Sequence, residues 1–256
     1  VSPSPITVPV LEVFSSFQGE GPRVGTREIF VRLARCDLRC AFCDTPESYP
    51  TPEGARLQLT PGGERDEIVP NPVDVAELVG AIKRLDDPPG LHESITITGG
   101  EPLLHPQAVV EIAKGARQLG LRVQVETGGH RAGAIRHVLA HVDGVTPDFK
   151  LESACLAPTP WEAHGETYRL LEAAGKAVAI KAVVAATTPL EEIAAAAAFC
   201  AEHAPTCVLV LQPVTHRPGA PATPTVSQMF RLHAAAALVH PDVRMIPQVH
   251  TALGLR

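Results

Sequence analysis

Apolar and polar positions alternate along the chain in short, distinct blocks. Brief runs rich in β-branched residues recur, and most are followed by stretches whose apolar residues repeat at helical spacing. Residues 10–14 and 28–33 read as the first two strands. From residue 74 onward the order becomes regular. Asp74 is a fitting N-cap for a helix over 75–85, in which Leu78, Val79, Ile82 and Leu85 share one face. Strands are expected at 95–98, 121–126, 145–150, 177–184 and 207–211, with a short one at 243–246. Helices are expected at 106–119, 131–140, 160–174 and 224–239, and Thr188-Pro189 signals the start of another. Residues 46–72 are dense in proline, glycine and charge, which predicts an insertion with little regular structure.

Repeated strand–helix units with right-handed crossovers imply a parallel sheet. Six or seven such strands are too few for a closed eightfold barrel. The expected fold is therefore α/β, a partial (open) parallel β/α barrel, in one domain over residues 1–256. Ligands of such folds bind at the C-terminal ends of the strands. The unusual residues cluster at those ends: a cysteine-rich loop, Thr98-Gly99-Gly100-Glu101-Pro102, Glu126-Thr127-Gly128-Gly129, Pro147-Asp148-Phe149-Lys150 and Gln212-Pro213-Val214-Thr215.

Composition narrows the field. With 45% apolar residues in 256, the chain can bury a substantial core. A net charge of −6 argues against a general nucleic-acid binder. No stretch has the length and apolarity of a membrane span. Residues 1–9 lack the basic and apolar regions of a secretory signal, so a cytosolic location is expected. Of six cysteines, Cys155, Cys200 and Cys207 are scattered and read as ordinary buried thiols.

The other three form Cys36-Asp37-Leu38-Arg39-Cys40-Ala41-Phe42-Cys43, directly after the apolar run 29–33. Soft thiolates at this spacing suit a zinc ion or an iron–sulfur cluster. Structural zinc requires a closed tetrahedral set, and no fourth ligand lies nearby in the sequence. A four-iron cluster on three cysteines would leave one iron open to a small molecule.

Together with Gly99-Gly100-Glu101-Pro102, this motif resembles the radical S-adenosylmethionine (SAM) superfamily. Phe17-Gln18-Gly19-Glu20-Gly21, Cys43-Asp44-Thr45, Thr98-Gly99-Gly100-Glu101-Pro102, Glu126-Thr127-Gly128 and Pro247-Gln248-Val249-His250 narrow the resemblance to the 7-carboxy-7-deazaguanine synthase family. That resemblance implies a radical SAM-type barrel and a ring contraction of 6-carboxy-5,6,7,8-tetrahydropterin with loss of ammonia. It also implies a [4Fe-4S] cluster on Cys36, Cys40 and Cys43, SAM as cofactor, and Mg²⁺ held by Thr45. Substrate would meet Phe17, Gln18, Gly19, Glu20, Arg32 and Thr98. Glu126 and His250 would bind substrate and move protons. Phe42, Cys43, Asp44, Gly99, Gly100, Glu101, Thr127, Asp148, Lys150 and Gln212 would serve SAM. A homodimer and an electron donor such as flavodoxin or ferredoxin are further implications. Asp37 and Gly128 stand where the family commonly has asparagine.

Blander readings exist for single positions. Arg32 could be a surface charge, Thr45 a helix cap and Glu126 a salt-bridge partner. The segment 15–22 by itself reads as a plain hairpin connection. His137 and His141 have zinc-compatible helical spacing, but with no third ligand in view they read as a solvated face. The rival functions are a glycyl-radical-enzyme activase, which would need an open face for a protein partner, and a zinc-stabilised binding module.

Overall fold

Seven parallel strands form the body of the sheet in a computed structural model that describes residues 5–255. Residues 1–4, the start of the stretch read for a leader, lie outside the described residues. In chain order the main strands are β1 (Val10–Phe17), β2 (Arg27–Leu33), β3 (Gly54–Gln58), β4 (Asp66–Pro70), β5 (Ser94–Gly99), β6 (Arg122–Thr127), β7 (Gly144–Phe149), β8 (Ile180–Val184), β9 (Leu209–Pro213) and β10 (Val243–Met245). Their spatial order is β10-β9-β8-β7-β6-β5-β2-β1-β3-β4. From β2 to β10 every neighbouring pair is parallel. The sheet is that of an open α/β barrel, with seven parallel strands as the sequence leads one to expect.

The α-helices are α1 (Val75–Leu85), α2 (Pro106–Gln118), α3 (Ala132–Val138), α4 (Glu152–Cys155), α5 (Trp161–Ala173), α6 (Leu190–His203), α7 (Val226–Ala237) and α8 (Val249–Ala252). Asp74 caps α1 as expected, accepting the Ala76 N–H at 2.8 Å. Thr188 does not cap α6; its hydroxyl instead accepts the Ala185 N–H at 2.9 Å, and Pro189 is the N-cap.

The expectation for residues 46–72 is corrected. β3 and β4 pair antiparallel, and β3 joins the sheet edge beside β1. Ala55, Leu57 and Val69 are buried there. Their period of two was hidden by the surrounding prolines and glycines, which sit in the turns and at strand ends.

Period two also explains the barrel interior. In β5, Ile95 and Ile97 point into the helix-covered core, and Thr98 faces the lumen. In β6 Val123 and Val125 are core while Glu126 is luminal; in β8 Ile180, Ala182 and Val184 are core while Lys181 is luminal. Register then aligns the luminal positions, pairing Arg32 with Thr98 and Lys181 with Asp148. Each fully buried aliphatic on the outer face stabilises the sheet by about 1.5–3 kcal/mol. A slip by one residue would exchange that face for the polar one, so burial outside pins the chemistry inside.

Among the described residues no helix is long and apolar enough to cross a membrane.

Candidate active site

A cavity of ≈ 180 Å³ opens at the C-terminal ends of the strands. Every site residue expected from the sequence lines it, with one exception: Thr45 lies just outside. The Thr45 hydroxyl donates to Asp44 Oδ1 at 2.9 Å and receives Arg32 Nη1 at 3.4 Å. The 15–22 segment is indeed a hairpin connection, closed by Gln18 N to Thr26 O at 2.8 Å, and it also walls the cavity. His137 and His141 stay remote, and His137 Nε2 contacts Gln107.

Cys36, Cys40 and Cys43 are free thiols on one cavity wall. Zinc–sulfur bonds of about 2.3 Å would draw sulfurs to roughly 4 Å of one another. Among the described residues, the only three ligating groups mutually within 4.8 Å are Glu20, Asp44 and His250. The three sulfurs do not form such a set, which one tetrahedral ion would require and a larger cluster would not. Cys36 Sγ accepts the Leu38 N–H at 3.4 Å, and Tyr49 lines the same cavity.

The glycine pair has a steric reason inside the protein. Gly100 N donates to Leu33 O at 3.0 Å and Glu101 N to Arg35 O at 2.9 Å, so the turn lies flat against the start of the cysteine loop. A Cβ on Gly99 would sit 2.1 Å from Leu33 O, and one on Gly100 2.2 Å from Arg35 O. Glu101 faces inward more than the sequence implies. Its oxygens accept from Leu103 N (2.9 Å), Gly128 N (2.7 Å) and the Thr127 hydroxyl (2.8 Å). Glu101 and Thr127 thus brace two strand ends together. Asp37 has its own partners, receiving Arg131 Nη2 at 2.6 Å and contacting His130 Nε2 at 3.1 Å. A carboxylate there ties the cysteine loop to the loop after β6.

On the opposite wall Arg32 Nε donates to Glu12 Oε1 at 3.0 Å, and its guanidinium lies 5.5 Å from the Phe14 ring centroid. Glu126 accepts from Gln18 Nε2 and from the Thr98 hydroxyl, both at 3.0 Å. Burial raises its carboxyl to about 7, with Glu20 and Glu28 adding to the rise and Lys181 opposing it. A raised carboxyl favours folding in its protonated form. That contribution is complete below the ordinary carboxylate range and is lost as pH rises through about 7. Relative to Glu126→Gln, the wild type should lose up to ~3 kcal/mol between pH 5 and 8, read from urea midpoints. Parallel pH profiles for the two proteins would overturn that assignment.

A charged chain crosses the cavity floor. Asp148 binds Lys150 Nζ at 2.6 Å and Lys181 Nζ at 3.3 Å, and Lys181 also donates to Glu20. Burial works against both lysines, but Asp148 beside Lys150, and Asp148, Glu20 and Glu126 around Lys181, hold them well above the usual lysine range. Gln248 Nε2 donates to Glu20 Oε1 and Asp44 Oδ2, each at 2.7 Å. Val249 N bonds Gly19 O at 2.8 Å, and a Cβ on Gly19 would meet His250 Nδ1 at 2.2 Å. The C-terminal segment is thereby laid over the hairpin loop. Gln212 Oε1 is buried with no protein partner, an acceptor left for a ligand. The three thiols, the glycine cradle and this orphan acceptor fit a cluster with an adjoining small-molecule cofactor.

Sequence reasoning missed several contributors. Lys181 has a visible signal, a lone charge within the apolar run 177–184. Gln248 stood beside His250 without being assigned a role. His164 on α5 gave no signal at all. Its Nε2 accepts the Lys150 N–H at 3.1 Å, so its Nδ1–H donates to Gly129 O at 3.0 Å. Burial lowers it to about 4, keeping the ring neutral, and it stacks on Phe149 and Tyr168. Cys155 is buried as expected, but it is not remote: its carbonyl accepts the Ala41 N–H at 3.2 Å.

Residues 31–197 match the radical SAM superfamily. A 7-carboxy-7-deazaguanine synthase of Geobacter sulfurreducens is 39% identical over 249 residues, spanning 95% of this chain and 96% of that protein. One from Thermococcus kodakarensis is 35% identical over 255 residues, spanning 95% and 97% respectively. Among solved structures, QueE from Escherichia coli is similar with a TM-score of 0.60 at 19% identity, covering 95% of both chains, which bears on fold alone.

Proposed function

We propose, from the premise that this chain belongs to the 7-carboxy-7-deazaguanine synthase family of the radical SAM superfamily, that its barrel mouth is a lyase site. The reaction is conversion of 6-carboxy-5,6,7,8-tetrahydropterin to 7-carboxy-7-deazaguanine and ammonia. The observation that carries this reading is the single cavity joining the three-cysteine loop to Arg32, Glu126 and His250. A pocket that brings Arg32, Lys150 and Lys181 together suits a small anion better than the polypeptide of an activase, and the three sulfurs are not among the groups drawn close enough for a single zinc ion.

Cys36, Cys40 and Cys43 would hold the cluster, which with SAM supplies one-electron reduction and hydrogen-atom abstraction when bound. Around it the protein's work is placement. Gly99 and Gly100 leave room for the cofactor's methionine end, Phe42 and Gln212 flank it, and Asp148 with Lys150 present charge to its polar groups. Arg32 pairs with the substrate carboxylate. Phe17, Gln18, Gly19 and Thr98 bound the ring. Glu126, ionising near neutrality, and His250 exchange protons with it. Glu20 and Gln248 keep the covering loop closed over the ligand.

Anaerobic incubation with SAM, a reductant, Mg²⁺ and the carboxypterin should yield the deazaguanine. Protein with full iron and sulfide content that forms none would refute the reading, and about one zinc with no sulfide would refute its cofactor.

Two substitutions test individual parts. His164→Phe keeps the ring stack but removes both backbone hydrogen bonds at Gly129 and Lys150. SAM affinity should fall roughly tenfold, ~1.4 kcal/mol, at unchanged iron content; unaltered affinity would assign His164 to packing alone. Mg²⁺ prefers oxygen ligands and keeps few protein contacts. With Thr45 as one of them, Thr45→Ala should raise the half-saturating Mg²⁺ several-fold in turnover assays. An identical Mg²⁺ curve would remove Thr45 from the site.

The same reading carries a single radical SAM domain, a homodimer, a cytosolic location and a one-electron donor such as flavodoxin or ferredoxin.

A further inference from the structure

The lumen has a second, smaller pocket behind the mouth cavity, of ≈ 10 Å³. Gln18, Glu20, Glu126 and Lys181 line both spaces, so these four side chains form the partition between them. The outer rim is Arg23, which precedes β2, Val178, which precedes β8, and Thr146 of β7. All three are half-buried, and Pro22 beside them is exposed. The pocket therefore leads outward on the side where strands begin, opposite to the mouth. Register pairs Thr146 with Glu126 on the neighbouring strand, and strand alternation turns both to the lumen.

Size decides what this pocket can take. A water needs roughly 10–15 Å³ and two to four polar partners. The pocket offers the lower end of that volume, with carboxylate, ammonium, amide and hydroxyl groups around it. Neither a pterin nor SAM could enter.

Glu126 has no comparable exit elsewhere. At the mouth, Val249 N bonds Gly19 O at 2.8 Å and lays the C-terminal segment over the hairpin loop, while bound substrate and cofactor would occupy the cavity. Inside the protein, Gln18 Nε2 donates to Glu126 Oε1 at 3.0 Å and to Glu28 Oε2 at 3.4 Å. An amide bridging two carboxylates in this way holds them in place but does not hand a proton across.

We infer that the rear pocket holds a water through which Glu126 exchanges its proton with solvent at the N-terminal end of the barrel. The inference rests on the proposed role of Glu126 as the group that exchanges protons with substrate. The Glu126 carboxylate accepts a proton on its mouth side and becomes a neutral acid. It passes a proton to the rear water, which releases one of its own to bulk water past Thr146 and Arg23. Glu126 returns to the carboxylate; one proton has moved, and no electron or heavy-atom bond has changed. Reprotonation runs the same path backwards. Burial leaves the carboxyl at about 7, so both forms are populated at neutral pH.

Thr146→Leu fills the pocket, whereas Thr146→Ser keeps its space and its hydroxyl. In holoenzyme saturated with SAM and the carboxypterin, Thr146→Leu should lower turnover roughly tenfold. Its solvent deuterium isotope effect should exceed that of the wild type, with iron content and SAM affinity unchanged, and Thr146→Ser should restore both values. Unchanged turnover, or a loss without the larger isotope effect, would overturn the inference. Val178→Phe closes the same pocket from the β8 side and carries the same expectation if Thr146→Leu fails to fold. A crystal structure of the wild type should show an ordered water hydrogen-bonded to Glu126 in the rear pocket. A dry pocket there would overturn the inference whatever the substrate is, whereas wild-type holoenzyme that forms no deazaguanine would refute the substrate.

Discussion

Arg32→Ala should lower carboxypterin turnover by at least about 10³-fold, ~4 kcal/mol in barrier, with iron and sulfide content unchanged. The size follows from what Arg32 does in a low-dielectric cavity. Its Nε is committed to Glu12, which orients the guanidinium, Nη1 reaches the Thr45 hydroxyl at a long 3.4 Å, and the side chain lines the pocket. A charged bidentate contact to a carboxylate contributes about twice a neutral hydrogen bond, and its loss also misplaces the reacting carbon. The fold should tolerate the change because Glu12 keeps a second cation, Arg56, at 3.1 Å. Turnover and metal content therefore separate the two possible roles. Unchanged turnover would sink the substrate assignment, and a lost cluster would make Arg32 a structural residue.

Lys181→Met is expected to damage both stability and activity. Lys181 is 12% exposed and lies among Asp148, Glu20 and Glu126. Methionine keeps much of the volume but leaves those carboxylates with Lys150 as the nearest cation to Asp148. Removing one partner of a buried ion pair typically costs about 3–5 kcal/mol, which should appear as a lower urea midpoint. Lys181 also opposes the rise of the Glu126 carboxyl, so the variant should need a higher pH to ionise Glu126. The rate should then fall at neutral pH and recover in part as pH increases. A variant as stable and as active as wild type, with the same pH profile, would remove Lys181 from the site.

Local sequence carried a large part of this picture. The strand–helix alternation after residue 74 announced the parallel sheet, because apolar period and capping residues act over a few neighbours. The Cys36–Cys43 spacing and the Gly99-Gly100 pair announced the cluster wall for the same reason: both are loop properties, set within one turn. The β3–β4 pair escaped because proline and glycine density obscured a short alternation at the sheet edge. His164 escaped because a neutral buried histidine has no pattern; only its two backbone partners, brought from separate strand ends, give it a role.

What the sequence determined by itself is the chemical inventory and the rule that alternate residues of each strand face inward. Tertiary structure alone decided which charges meet. Lys181 with Glu20, Gln248 with Asp44 and Cys155 with Ala41 are each more than a hundred residues apart. Their pairing follows from strand order and register, which are set by burial of the apolar face over the whole sheet and cannot be read from any one segment.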